Sequence, residues 1–335
     1  MDSLTHVVLG GCIGEAMLGQ RIGKKAMLMG AMAQSLPDID FVASFWMSGA
    51  DDLLAHRGIT HSFLFLLLVS PLFAILSNKT VKPSAGVGIW TLFFMIEIGV
   101  HLFLDAFNNY GVGWFEPFSD YRVSFNTIYV ADPLLSILPA ISFVALLLTR
   151  AKTIYRRKWW KIAIVGCSFY LLVCTINKLV VDSSVRKAFT RQSIPNNHYF
   201  TTPAPLQSFL WMVVSGDQDG FNVGYRSVFD RSDTVAFTYF PRNENLLATL
   251  RDTEEVNKLK KFSQGFYTIE QINDTLIFND LRFGQIVGWH DPLGKFVFHY
   301  YLRHPEHNAL VVQRGRFARW DEDVFRSFLR RIRGN

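Results

Sequence analysis

The sequence predicts a mainly α chain, with a polytopic transmembrane bundle of about six helices over residues 1–182 and a soluble α+β domain over residues 183–335. Three observations carry this. Half of the 335 residues are hydrophobic, 19% are charged and mean hydropathy is +0.17, whereas a soluble domain carries about a quarter charged residues. Long apolar runs fill the first 182 positions. After them the chain alternates polar and aromatic residues as a globular domain does.

Taken in order, residues 4–20 and 24–36 hold Gly10, Gly11, Gly14, Gly19 and Gly30. They are short for full spans and predict tilted, re-entrant or closely packed helices. Residues 60–77, 86–106 and 161–181 read clearly as spans. Residues 133–149 are shorter but continuously apolar, and each segment approaches the ~20 residues needed to cross the hydrocarbon. Beyond 182, strand-like runs at 234–240 and 295–302 precede a basic closing helix at 321–333, giving the α+β expectation. Asp217-Gln218-Asp219-Gly220 lacks the later glutamate of a calcium loop and predicts a turn. His304-Pro305-Glu306-His307 reads as a loop. Arg326, Arg330, Arg331 and Arg333 form a basic helical face suited either to anionic lipid or to solvent.

Other classes are excluded by composition. Cys12, Cys167 and Cys174 all lie in apolar segments, so no disulfide framework or cysteine-based zinc site is expected. The first residues lack a basic region and a small-residue cleavage site, so no removable signal peptide is expected. The net charge of +6 suits the basic loops of a membrane protein, and nucleic acid is not expected as a partner.

Lys and Arg are placed asymmetrically. Arg21, Lys24 and Lys25 punctuate the first turn, Lys79 and Lys82 the loop after residue 77, and Arg150, Lys152, Arg156, Arg157, Lys158 and Lys161 the stretch before the last span. The positive-inside rule assigns these loops to the cytoplasm. With six crossings, the opposite ends face outward. They carry His6, Asp38, Asp40, His56, His61, His101, Asp105 and the 107–131 loop, with the C-terminal domain on that same outer face.

Those outward residues are metal-ligand types in a setting where ionisable groups are rare and usually functional. His101 and Asp105 lie four apart on a predicted helix and project from one side. A structural His–Asp hydrogen bond is the simpler account of that spacing alone. His56 and His61 flank Gly58-Ile59-Thr60 at the mouth of an apolar run, where Arg57 also suits lipid headgroups. Pro37-Asp38-Ile39-Asp40 is a natural helix break, but its second aspartate at the same depth favours a ligand role for at least one. His6 follows Asp2 and Ser3, which suit a helix cap. Jointly the set points to a metal site, because imidazoles and carboxylates suit Zn²⁺, Mn²⁺ or Fe²⁺ and a dication neutralises carboxylates near hydrocarbon.

Thr5-His6 with Gly10, Pro37-Asp38-Ile39-Asp40, His56-Arg57-Gly58 with Thr60-His61-Ser62, and His101 with Asp105 resemble the motifs of the membrane-bound metal-dependent hydrolases (YdjM-like). Tyr110-Gly111, Pro117-Phe118-Ser119 and Asp132-Pro133 resemble that family's middle region, and the resemblance covers roughly residues 1–180. More distantly, the series is similar to the zinc-dependent phospholipase C and P1 nuclease group. That resemblance implies His6, Asp38, His56, His101 and Asp105 as ligands, with His61 a further one, for one or two divalent ions, zinc foremost. The group's further downstream His-x3-Glu or His-x3-Asp pair is missing here, which argues against a trinuclear cluster.

The implied activity is hydrolysis of a phosphoester, small or lipid-linked, by metal-activated water at a bacterial inner membrane, on its extracytoplasmic side. Asp40 or Asp132 would take the proton, Arg57 would clamp a phosphate, and membrane lipid would be the surrounding partner. A non-enzyme with a structural metal site and a partner-binding outer domain is the alternative. A transporter suits the ionisable groups less well, because they gather at one face rather than at the midplane.

Overall fold

A computed structural model describes residues 1–47, 49–150, 153–250, 253–303, 308, 317 and 320–334. They form two compact units. One comprises Met1–Phe45 with Ala55–Cys174, the other Trp46–Leu54 with Thr175–Asn335.

The first unit begins with α1 (Ser3–Ile22), where the Asp2 carboxylate accepts the Thr5 N–H at 2.9 Å, satisfying one of the orphan donors of the first turn. The chain turns at Gly23, φ 64°, into α2 (Lys25–Gln34). The two helices cross at their glycines. A Cβ on Gly30 would lie 2.0 Å from the Gly10 carbonyl oxygen, an approach open only to glycine. A 3-10 turn (Pro37–Phe45) follows, then α3 (Gly49–Ala55), most of which belongs to the second unit. A second 3-10 turn (Ile59–His61) leads into α4 (Phe63–Thr80), whose first turn is capped by Ser62 Oγ accepting the Phe65 N–H at 3.1 Å. Next come α5 (Val87–Asp105), α6 (Pro133–Leu148) and the 38-residue α7 (Tyr155–Gln192). Asp132 caps α6 and Pro133 takes its first position, where a missing N–H costs nothing.

The core of this unit gathers Trp90, Phe93, Phe94, Ile98 and Leu102 of α5 against Leu18, Ala26 and Ala33 of the α1–α2 pair. The loop between α5 and α6 is tied to the segment before α4. Phe63 N–H donates to Trp114 O at 2.9 Å, Gly113 N–H to Arg57 O at 2.8 Å, and Arg122 Nη1 to His56 O at 2.9 Å.

Among the described residues, three helices are long and apolar enough to cross a membrane, namely α4, α5 and α7. The expectation of about six spans is not supported. Residues of α1 include His6, Glu15, Gln20 and Arg21, which dilute its hydropathy. With 10 residues, α2 spans only about 15 Å, and α6 with 16 about 24 Å, against about 30 Å of hydrocarbon. Arg156 also departs from its reading as a loop charge. It is buried, with Nε 2.6 Å from Glu15 Oε1 and Nη2 2.5 Å from Oε2, and Nη1 donates to the Leu146 and Thr149 carbonyls. Lys152 of the same basic stretch lies outside the described residues.

In the second unit, β1 (His198–Pro203), β2 (Leu210–Gly216), β3 (Gly220–Ser227) and β4 (Phe237–Pro241) form an antiparallel meander. After α8 (Glu254–Phe262), β5 (Tyr267–Ile272), β6 (Thr275–Gln285) and β7 (Phe296–Tyr301) form a second antiparallel sheet, and α9 (Glu322–Ile332) closes the fold. Residues 217–220 make the β2–β3 hairpin turn, where Asp217 Oδ1 accepts the Asp219 N–H at 2.9 Å. On α9, Arg331 reaches both carboxylate oxygens of Asp230 at 2.7 and 2.8 Å, so part of the basic face is committed within the fold. The 304–307 motif lies outside the described residues.

Candidate metal centre

Three local features bring four ligand-type side chains together. Pro37 breaks the helical path and starts the 3-10 turn bearing Asp38, while the Ile59–His61 turn presents His61 just before α4. On α5, His101 and Asp105 stand one turn apart at its C-terminal end. One donor atom from each of Asp38, His61, His101 and Asp105 lies within 4.8 Å of all the others.

The distances can be compared with those around a bound ion. His61 Nε2 is 3.1 Å from His101 Nε2, 3.6 Å from Asp38 Oδ1 and 3.5 Å from Asp105 Oδ2. His101 Nε2 is 3.5 Å from Asp38 Oδ1 and 3.6 Å from Asp105 Oδ2. Metal–ligand bonds of about 2.0–2.1 Å in a tetrahedron put donor atoms about 3.3–3.4 Å apart. The five edges thus bracket the zinc-type value, and two imidazole nitrogens among the donors do not suit calcium, which takes oxygen ligands.

Surrounding groups orient these donors. His101 Nδ1 sits 2.6 Å from the Gln34 carbonyl oxygen, which accepts only, so Nδ1 carries the hydrogen and Nε2 presents a lone pair. His61 Nδ1 lies 3.0 Å from Thr60 Oγ1 and 3.5 Å from Asp40 Oδ2. An outer ring nitrogen held by a carbonyl or carboxylate is the arrangement that fixes metal-ligating imidazoles. Asp105 Oδ2 is fully buried and accepts no hydrogen bond; its neighbours are the two Nε2 atoms and, at 3.1 Å without hydrogen-bond alignment, Arg57 Nε. A buried carboxylate oxygen left in that state is costly, and a dication removes the cost. The residues present fit a bound zinc-type ion.

Titration behaviour outside the spanning helices agrees. Burial acts to lower the His61 imidazole, but the carboxylates of Asp105, Asp38 and Asp40 outweigh it and hold the group above its usual value. Burial acts to raise Asp38, yet the His61 hydrogen bond and the nearby His101 and His6 hold it well below the carboxylate range. The site therefore favours positive charge at its centre.

Of the remaining sequence-predicted residues, His6, Asp40, His56 and Arg57 border these four, while Asp132 caps α6. His6 is buried, stacked on His101 at 3.8 Å between ring centroids, with Nε2 3.2 Å from Asp105 Oδ1. Asp40 Oδ2 accepts the Arg57 N–H at 2.7 Å and lies 3.3 Å from His56 Nδ1, and the His56 side chain is 35% exposed. Arg57, at φ 60°, donates from Nη1 to Asn108 Oδ1 at 2.9 Å and from Nη2 to Met1 O at 3.3 Å, with its guanidinium over the Tyr110 ring. Asp132 accepts the Leu134 N–H at 2.9 Å and the Tyr170 hydroxyl at 2.8 Å, contacts that belong to the α6 cap. Gln34 and Asn108 escaped sequence reasoning. Gln34 acts through its backbone carbonyl, which leaves no side-chain signal, and Asn108 sits in a loop without spacing to mark it.

A family model described as YdjM inner membrane protein matches residues 1–181. The chain is similar to Inner membrane protein YbcI of Escherichia coli (strain K12), 29% identical over 121 residues, which is 36% of this chain and 69% of that protein. It is also similar to Uncharacterized protein YfhP of Bacillus subtilis (strain 168), 31% identical over 144 residues, 41% of this chain and 43% of that protein. The chain thus spans less than half the length of the second relative. No solved structure matches.

Proposed function

This chain belongs to the YdjM inner membrane protein family, and from that premise we propose that it is an integral-membrane metal-dependent hydrolase of phosphoesters. The observation that carries the proposal is the convergence of two imidazole Nε2 atoms and two carboxylate oxygens at zinc-type edge distances. An inner-membrane location follows from the family and the three apolar helices. A bound ion of this kind supplies water of lowered pKa and polarises a phosphoryl oxygen.

The chain's own residues take these roles. Asp38, His61, His101 and Asp105 hold the ion. Asp38 is the one of the four whose side chain reaches solvent, at 24% against 0% for the others, so substrate enters on its side. Asp40 fixes His61 and, paired with the half-exposed His56, exchanges a proton with solvent or substrate. Arg57 donates to Asn108 and Met1 and holds its buried charge beside Asp105, Nε standing 3.1 Å from Oδ2, so we assign it to holding Asp105 rather than to clamping phosphate. His6 backs the other Asp105 oxygen. Asp132 is assigned to the α6 cap.

A lipid phosphoester suits the position. His61 precedes α4 directly and Asp105 ends α5, so the ligands sit where spans meet the interface. Ile39, Phe41, Phe45, Phe115 and Phe118 are exposed on the segments carrying or flanking the site. For orientation, the positive-inside rule puts the α4–α5 loop with Lys79 and Lys82 in the cytoplasm and the metal centre outside. That assignment also requires the short α6 to cross, so that the start of α7 returns to the cytoplasmic side.

Elemental analysis of the purified protein, with phosphodiester hydrolysis in parallel, tests the reading. Bound zinc near one equivalent, lost together with hydrolysis in His61→Ala and His101→Ala, is expected; unchanged metal content in both variants would overturn it. One observation favours a second reading. Four protein donors complete a tetrahedron, as structural sites do, whereas catalytic sites keep a position for water. X-ray absorption on the zinc-loaded protein separates the two, since hydrolysis requires a water oxygen among the ligands.

A further inference from the structure

One ionisable side chain in the membrane unit belongs to none of these roles. Glu97 lies on α5 four residues before His101 and eight before Asp105, so the three share one helical face. At 1.5 Å per residue it stands about 15 Å from Val87 and about 12 Å from Asp105, near the middle of the span. It is fully buried, and neither carboxylate oxygen has a hydrogen-bond partner among the described residues.

Among the described residues, none pairs an opposite charge with it. Gly30 of α2 faces it closely enough that a Cβ there would lie 2.9 Å from Glu97 Oε1 and 2.0 Å from Gly10 O. Gln34, one turn further along α2, is buried with both side-chain amide atoms unpartnered. The titratable groups on the elements packed against α5 are His6, Cys12, Glu15 and Arg21 on α1, Lys25 on α2, Asp38 and Asp40 on the Pro37–Phe45 turn, and Lys79 on α4. Of these, Glu15 pairs with Arg156 of α7, His6 faces Asp105, and Asp38 and Asp40 face the histidines of the metal centre. The Cys12 thiol reaches the Pro139 carbonyl, and Arg21, Lys25 and Lys79 stand at helix ends. An ionised carboxylate in that position would be strongly disfavoured, and packing as tight as the Gly10–Gly30 crossing leaves room for a proton rather than a coordinated metal ion.

We propose that Glu97 is a proton-binding site at the centre of the membrane unit, and that its occupancy is tied to that of the metal centre one helical turn away. The coupling is electrostatic. A dication held by His101 and Asp105 places positive charge about 6–12 Å along the helix from Glu97, which favours release of the Glu97 proton; a proton on Glu97 weakens metal binding by the same factor. The proton-site half stands on Glu97 alone, and the coupling half rests on the metal-centre reading.

Infrared difference spectroscopy of the full chain in lipid tests both halves. Metal-free protein is expected to show a protonated-carboxyl C=O band that shifts in deuterium oxide and is missing from Glu97→Gln. Loading with zinc, its binding measured separately by elemental analysis, is expected to weaken that band at least twofold. Should Glu97→Gln not fold, dicyclohexylcarbodiimide reports on the wild-type chain. The acid O–H adds across a C=N bond and the acyl group migrates to nitrogen, so the N-acylurea retains every atom. Peptide mapping is then expected to find the adduct on Glu97, several-fold less after zinc loading. Absence of both the band and the adduct in metal-free protein overturns the proton site. A signal undiminished after zinc has bound, or failure of zinc to bind at all, overturns the coupling.

Discussion

At the residue scale the proposed metal centre sets a proton and a metal ion in competition for the same lone pair. Burial and carboxylates act oppositely on His61, and the carboxylates prevail, so its folded-state value is raised above the usual 6.5. A raised group stabilises the fold fully below the unfolded value, and that contribution is lost as pH rises through the folded value. The metal-free protein should therefore melt at progressively lower temperature above about pH 6.5, and His61→Gln should flatten that slope. Over the same window zinc affinity should rise with pH, because ligation requires the neutral imidazole. Asp40 touches both His61 and His56 without belonging to the four donors. Asp40→Asn should cost about 10–100-fold in zinc affinity, measured by competition with a chelating dye. Arg57 is buried against Asp105. Arg57→Gly suits the positive φ and so isolates loss of the guanidinium; a loss of about 3–5 kcal/mol is expected from calorimetric unfolding of the metal-free protein in detergent. A wild-type-like unfolding curve would remove Arg57 from the role of holding Asp105.

At the element scale, the site depends on how closely α1 and α2 approach α5. His101 meets the Gln34 carbonyl, and His6 stacks on His101, where the glycine crossing draws α1 and α2 together. Gly30→Ala should force them apart. Overpacking of this kind costs about 1–3 kcal/mol, and a drop in metal retention together with the melting temperature is the expected result; a variant that retains wild-type zinc would show that the crossing does not position the ligands. The sequence marked these glycines as a sign of close packing, and the i,i+4 spacing marked His101 with Asp105. Nothing local marks Gln34, since the contributing group is a backbone carbonyl every residue carries. The pairing of Glu15 with Arg156 across 141 positions was equally illegible, because Arg156 sits in a run of basic residues that resembles a loop.

At the scale of the whole molecule, hydropathy and helix geometry give different answers about crossings. α4, α5 and α7 have the length and apolarity to span, while α6 falls short by about 6 Å, α2 by about 15 Å, and α1 is long enough but diluted by polar residues. The proposed orientation can be read directly. The native cysteines Cys12, Cys167 and Cys174 are buried, so single introduced cysteines should report with little background. Ser119→Cys, exposed in the α5–α6 loop, should react with a membrane-impermeant maleimide in intact cells. Ser84→Cys, exposed between α4 and α5, should react only after permeabilisation. The opposite pattern would place the metal centre in the cytoplasm.

The sequence by itself determined the membrane character, the α+β nature of the C-terminal region and the set of His and Asp residues from which a metal site is drawn. Composition and short-range spacing carry those facts. Only the tertiary structure decided which residues form the ring of four, that Arg57 faces inward to Asp105, and that Glu97 stands alone beneath them. These depend on distances between Asp38, His61 and α5, which lie 23 to 67 positions apart in the chain. Such distances are set by how closely helices pack, and a pattern read along one chain does not encode that directly.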